Sequence, residues 1–220
     1  MSKSVIVVMT RWHAERRCKQ RLSSIIGSRH AALTQEKLTN HTFKVVKELE
    51  DKNLIRTHLA ITGLGPKAIK RWGKQTGITI ASSQGNGSLG LRMRRQILKA
   101  SCVNGNRTQR PKSIVIIGTD LPNLCTLNLL IALDLLTKNE LVIGPAEDGG
   151  YWLLGLSGTM LNPIASWPFC GIPWGTNQVL EKTIQEAKKN GIKPQFLSYQ
   201  NDLDQYKDLA PWLNIQKRSL

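Results

Sequence analysis

At 220 residues the chain has room for one α/β domain and a full hydrophobic core without disulfide or metal staples. Its net charge of +16, from 31 Lys and Arg against 15 Asp and Glu, favours polyanionic partners such as nucleic acid, anionic membrane or phosphorylated small molecules. The longest apolar stretch, Leu127–Leu136, is interrupted by Asp134 and too short to span a bilayer, and the four cysteines are scattered without C-x-x-C spacing, which excludes membrane-spanning and disulfide-scaffold classes.

Ser4–Thr10 predicts a first strand. Arg11, Arg16 and Arg17 follow it instead of a small-residue cleavage site, so the apolar run Val5–Met9 does not read as a signal peptide. Reduced thiols and this start give a cytoplasmic expectation. Arg11–Leu22 carries five Lys and Arg against the single acid Glu15. Such a loop after a first parallel strand can cradle phosphates, or it can simply be solvated. Ala31–Leu49 predicts a helix, Thr57–Thr62 a second strand, Pro66–Trp72 a short helix with proline in its first turn, and Ile78–Ala81 a third strand.

Gly85, Gly87 and Gly90 then fit G-x-G-x-x-G before a helix over 91–100. The fingerprint belongs in a first βα turn with an acid about 20 residues on, and both conditions fail. What survives is a glycine-rich loop beside Arg92, Arg94 and Arg95, suited to an anion or to close packing. Ser101–Lys112 reads as an exposed connection.

The run Ile114–Ile117 is β-branched throughout, as in a strand buried on both faces, and it stops at Gly118-Thr119-Asp120, with Pro122 beyond. From Lys52 to Thr119 there is no Asp or Glu against thirteen Lys and Arg. A lone acid at the end of a central strand, facing cations, suits a metal-bridged phosphate site. The alternative is that Asp120 caps a helix starting near Asn123 or closes a turn. That helix, Asn123–Leu136, would bury a leucine face.

Leu141–Gly144 and Tyr151–Leu156 predict two more strands, joined through Glu147-Asp148-Gly149-Gly150. The joint reads as a hairpin turn, or as a substrate site in which Asp148 accepts hydroxyl hydrogen bonds or acts as a base. Trp174 is either a core plug or a stacking face. A helix ends near Asn190-Gly191, Gln195–Tyr199 is a late strand, and Asn201–Asp204 adds an acidic cluster before a terminal helix. The domain spans 1–215, with 216–220 frayed. The basic residues are not interleaved with stacking aromatics, which argues against a nucleic-acid module.

In this order the blocks Q-G-N-G-S-L-G-L-R-M (84–93), I-I-G-T-D-L-P-N-L (116–124), G-P-A-E-D-G-G-Y-W-L-L-G-L (144–156), I-P-W-G-T (172–176) and D-L-D (202–204) resemble the rSAM/selenodomain-associated transferase 1 family, also labelled arsenosugar-biosynthesis-associated glycosyltransferase. The resemblance implies an α/β fold of the GT-A nucleotide-diphospho-sugar transferase type, a three-layer Rossmann-like sandwich with a mostly parallel, mixed sheet. It places Asp120 at the metal and diphosphate position with Asp204 as a second metal-side carboxylate. Lys19, Arg21, Gln84, Arg92, Gly118, Thr119 and Pro122 would serve the nucleotide. Asp148, Glu147, Gly149, Gly150, Tyr151 and Trp174 would serve the sugar or acceptor, with Asp148 and Asp120 catalytic. The first loop departs from the family: of K-T-R-L only Lys19, Arg21 and Leu22 match, and Glu15-Arg16 stand where Pro-Gly is usual. Ser88 replaces a usual Asp and Leu91 a usual Glu.

The leading expectation is a metal-dependent glycosyl transfer from a nucleotide sugar to an unknown acceptor, with Mg²⁺ or Mn²⁺ on Asp120. A nucleotidyltransferase using a nucleoside triphosphate is the second reading. A catalytically decayed basic binding protein is the third.

Overall fold

The structure is a computed structural model and describes residues 3–78, 80–102, 110–161, 163–204 and 206–209. The expected tail 216–220, most of the connection 101–112 and the helix after Asp204 lie outside the described residues, apart from a single 3₁₀ turn, Tyr206–Asp208.

In chain order the elements are β1 (Ser4–Arg11), α1 (Gln20–Ile26), α2 (Ser28–Asp51), β2 (Ile55–Thr62), α3 (Pro66–Thr76), β3 (Ile80–Ser83), α4 (Leu89–Ser101), β4 (Ser113–Ile117), α5 (Thr126–Leu135), β5 (Leu141–Pro145), β6 (Tyr151–Ser157), α6 (Val179–Lys189) and β7 (Gln195–Phe196). The strands form one sheet in the order β3-β2-β1-β4-β6-β5-β7. β6 is antiparallel to both its neighbours, and the other pairings are parallel. The pattern is the expected α/β sandwich with a mostly parallel sheet.

Strand periodicity builds the layers. Ile6 and Val8 of β1 enter one core with Leu59, Val115 and Ile117, closed by α2, α3 and α5 through Val46, Trp72 and Leu129. Val5 and Val7 face the other way, with Ile114 and Ile116, under Met93 and Ile97 of α4 and Ala187 of α6. All five residues of β4 are buried, which explains its unbroken β-branched run.

Four local expectations change. The basic first loop ends in a helix, α1, because Leu22 finds a satellite core with Leu38 and Leu203. Asp120 does not cap α5: the cap is Cys125, whose backbone N–H donates to Asn128 Oδ1 at 2.9 Å. Nor do the leucines of α5 fill a single buried face. Leu129 and Ala132 point inward, whereas Leu127, Leu130 and Ile131 are exposed. The late strand shrinks to the two residues of β7, since only Gln195 and Phe196 register against β5.

Candidate active site

Strand order reverses at β1: β2 and β3 lie to one side and β4 to the other. Open α/β sheets bind ligands outside the carboxyl ends of the strands at such a reversal. A cavity of about 330 Å³ opens there, lined by Thr10 and Arg11 from β1 and by Gly118, Thr119 and Asp120 after β4. Its floor is polar: Thr10 Oγ1 lies 3.3 Å from Thr119 Oγ1, which also accepts from Gln35 Nε2 at 3.2 Å.

One wall is cationic, and Gln84 builds it. Its buried side chain donates through Nε2 to Thr10 O at 2.9 Å and to Ala60 O at 3.0 Å, pinning the loop after β3 to β1 and β2. Its Oε1 accepts from Arg92 Nη1 at 2.9 Å, which aims the guanidinium at the cavity. Gln84 is therefore placed to orient Arg92, since both ends of its amide are already bonded. Burial, then the neighbouring Arg11 and Arg95 charges, push the Arg92 pKa down, so this wall gains from an incoming anion. The glycine-rich loop itself is tied by Arg95, whose Nη1 and Nη2 donate to Gln84 O and Asn86 O at 2.6 and 3.0 Å.

The acids of the lining gather around Lys19. The Lys19 side chain is 2% exposed, and its ammonium lies 2.8 Å from Asp120 Oδ1 and 3.9 Å from Asp204 Oδ1. It also donates to Leu203 O at 2.5 Å. Arg21 Nη1 reaches Asp204 Oδ2 at 3.5 Å from the solvent side. Asp120 Oδ1 is itself buried and makes no aligned hydrogen bond among the described residues, so its contact with Lys19 is a charge pair. The backbone of Leu203 donates to Asp120 O at 2.9 Å, which brings the Asn201–Asp204 segment against the end of β4.

That segment adds an acid the sequence reading left without a role. Burial, then the charges of Asp120 and Asp148, push the Asp202 carboxyl up to about 7, with Lys19 opposing and Asp204 reinforcing. Asp120, Asp148, Asp202 and Asp204 thus share one field. Among the described residues no three His, Cys, Asp or Glu side chains are arranged to hold a metal ion by themselves. Asp120 and Asp204 are hard oxygen donors close enough to share one ammonium. They fit a Mg²⁺ or Mn²⁺ ion that takes most of its ligands from water and phosphate.

A second cavity of about 390 Å³ adjoins the first, and Leu89 and Tyr151 line both. Asp148, Gly150, Trp174 and Asp202 line it, with Arg21 at its edge. Trp174 is both plug and face: it packs on the lower core, meets Tyr151 edge-on at 6.1 Å and lines this cavity. Asp148 Oδ1 accepts from the Gly150 N–H at 2.9 Å within the β5–β6 hairpin. Burial raises the Tyr151 phenol pKa, and the nearby Thr183 side chain opposes that rise.

The first cavity thus gathers Lys19, Gln84, Arg92, Gly118, Thr119, Asp120, Tyr151 and Asp204, and the second Arg21, Asp148, Gly150, Tyr151 and Trp174. Pro122, Glu147 and Gly149 line neither. Gly149 instead has φ 84°, and a Cβ there would strike the Asn177 carbonyl, so it closes the hairpin onto the loop before α6. Gln35 and Leu89 join the site with no sequence signal, while Arg11 and Asp202 carried the signal of charge.

Residues 45–176 match the family described as DUF2064, uncharacterized protein conserved in bacteria, and the chain belongs to that family. No curated protein matches the sequence. Among solved structures, one from Desulfovibrio desulfuricans G20, named a putative nucleotide-diphospho-sugar transferase, is 24% identical with a TM-score of 0.80, over 100% of this chain and 88% of that one. A 4-diphosphocytidyl-2C-methyl-D-erythritol synthase from Anaerococcus prevotii DSM 20548 is 10% identical with a TM-score of 0.64, over 99% of both chains. Rv0371c of Mycobacterium tuberculosis H37Rv, in complex with manganese, is 15% identical with a TM-score of 0.54, over 97% of this chain and 98% of that one. The fold is therefore that of the nucleotide-diphospho-sugar transferases and cytidylyltransferases.

Proposed function

We propose that this DUF2064 protein is a metal-dependent glycosyltransferase that takes its sugar from a nucleotide-diphosphate donor. The observation that carries the reading is the polarity of the first cavity. Asp120 and Asp204 line it together with Arg11 and Arg92, over the carboxyl ends of β1 and β4. A diphosphate needs both kinds of group: cations for its oxygens, and carboxylates that would hold a divalent ion beside it.

In this reading Arg11 and Arg92 bind the diphosphate and stabilise the negative charge that grows on it as the sugar departs. Lys19 contributes the same way from below. The divalent ion, when bound by Asp120 and Asp204, supplies Lewis-acid neutralisation of the leaving group. The second cavity takes the sugar and the acceptor. There Asp148 and Asp202 accept hydrogen bonds from hydroxyl groups, and the Trp174 and Tyr151 rings exclude water. Cavities of about 330 and 390 Å³ lie within the size range of small-molecule sites.

Asp120→Asn tests this directly. Calorimetry with nucleoside diphosphates and Mn²⁺ should show metal-dependent binding to the wild type and none to the variant, with the variant still folded by circular dichroism. Equal affinity in both proteins contradicts the assignment.

A nucleotidyltransferase is the second reading, favoured by a further cationic recess. Arg11, Arg17, Lys19 and Arg21, with the single acid Asp204, line a cavity of about 410 Å³ beside the first loop, with room and net positive charge for a third phosphate. Pyrophosphate release from a nucleoside triphosphate would select it. Transfer from a nucleotide sugar without pyrophosphate release would select the first.

A further inference from the structure

Lys19 is built unlike the other cations of the cleft. Arg21 is 75% exposed on its side chain, whereas the Lys19 side chain is 2% exposed. A buried ammonium is tolerated only when its charge is matched. Its matches are the two carboxylates assigned to the metal: Asp120 Oδ1 at 2.8 Å and Asp204 Oδ1 at 3.9 Å, with the Leu203 carbonyl completing the set. Three oxygens from two segments, the end of β4 and residues 203–204, thus converge on one cation. The backbone is bent to deliver it, since Lys19 precedes α1 in the left-handed region at φ 44°, ψ 54°, which a non-glycine residue adopts at a cost.

From this geometry we infer that Lys19 is a tethered counter-cation holding the metal position in the nucleotide-free protein. Its ammonium satisfies Asp120 and Asp204 in place of a divalent ion, and a divalent ion cannot approach the same oxygens without meeting that charge. The remaining exposure of the Asp120 and Asp204 side chains, 44% and 48%, faces the cleft. Free metal therefore binds weakly. A phosphate group entering beside Lys19 offers the ammonium a new partner, released from the carboxylates, and the metal then binds together with the diphosphate. The consequence is ordered loading, nucleotide before or with metal, so the carboxylates do not capture divalent ions unproductively. The inference rests on the proposed metal role of Asp120 and Asp204.

The test is Mn²⁺ alone, titrated against the whole chain and followed by the electron paramagnetic resonance signal of the free ion. Lys19→Gln keeps a donor for the Leu203 carbonyl but removes the charge, and Lys19→Met serves as a second variant should the first fold poorly. The wild type should bind Mn²⁺ weakly. Each Lys19 variant should bind it on the order of tenfold or more tightly, the scale of one unit charge removed at such a distance. Adding Asp120→Asn to a Lys19 variant should erase that gain. If Asp120→Asn erases binding and the Lys19 variants bind Mn²⁺ no more tightly than the wild type, Lys19 is not the counter-cation, although the metal assignment stands. If Asp120→Asn changes nothing in any background, the metal assignment falls and this inference with it.

Discussion

At the scale of single residues, two glycines of the same cleft separate packing from binding. A Cβ on Gly90, the second residue of α4, would run into the Phe169 carbonyl and the Trp174 indole. A Cβ on Gly118 would meet nothing within 4 Å, because the space beside it is the first cavity. Gly90→Ala should therefore destabilise the protein by about 1–3 kcal/mol in urea unfolding, as overpacking of a closed contact does. Gly118→Ala should leave the urea midpoint nearly unchanged yet weaken nucleoside-diphosphate binding in calorimetry. The reverse pattern would mean that the cavity after β4 is not where the ligand lies. The same scale shows why Asp120 stands out in the sequence by itself while Asp202 shows there only as one charge of a cluster. Asp120 ends a long acid-free stretch at a strand terminus, so its isolation is visible in one dimension. The role of Asp202 comes from packing beside Asp120 and Asp148, which are distant along the chain.

At the scale of elements, β2, β3 and α4 are tied by a buried polar relay behind the glycine-rich loop. His58 Nε2 lies 2.9 Å from Ser82 Oγ, which donates to Gln96 Oε1 at 2.9 Å, and Gln96 Nε2 reaches Ser83 O at 3.1 Å. Burial, with the Lys99 charge adding, lowers the His58 pKa from 6.5 to about 4. The folded protein therefore keeps His58 neutral where the unfolded chain would protonate it. The stability this confers is fully present above the unfolded value and is lost as pH falls toward the folded one. Between pH 7 and pH 5 the loss from this group should be about 2 kcal/mol by linkage. Urea unfolding at the two pH values should show it, and His58→Gln should flatten the difference. An unchanged pH dependence in the variant would place the acid sensitivity elsewhere.

The elements also mark how far sequence reaches. β1, β2, β4, β5 and β6 were legible because each is a run of apolar residues flanked by turn residues, and burial on both faces leaves no other use for such a run. α1 was missed because its apolar positions are few and its driving contact, Leu22 on Leu38 and Leu203, crosses the whole chain. The start of α5 was misjudged for a related reason. Leu121 and Leu124 are buried below the helix, so the apolar pattern begins before the helical hydrogen bonds do. Of the candidate site, the acids and bases were visible as charge against a strand end. The scaffolding was not: besides lining the first cavity, Gln84 is a strut, through its bonds to Thr10, Ala60 and Arg92.

At the scale of the whole molecule, a surplus of +16 surrounds a fold that brings four of its 15 acids, Asp120, Asp148, Asp202 and Asp204, into one field. Among the described residues no helix is long and apolar enough to cross a membrane, and the charge calls for an account of its own. A phosphorylated small ligand supplies one for the Arg11–Arg92 wall. The most direct measurement is a thermal-shift series with nucleoside diphosphates and nucleotide sugars, each with and without Mn²⁺. A ligand that binds the native state at a hundredfold its dissociation constant stabilises it by about 2.7 kcal/mol. For a chain of this size that should raise the melting temperature by roughly 5–10 °C. The account predicts such a rise for at least one nucleotide, larger with Mn²⁺ than without and absent in Asp120→Asn. A melting temperature unmoved by every nucleotide in the series, with or without Mn²⁺, would contradict it.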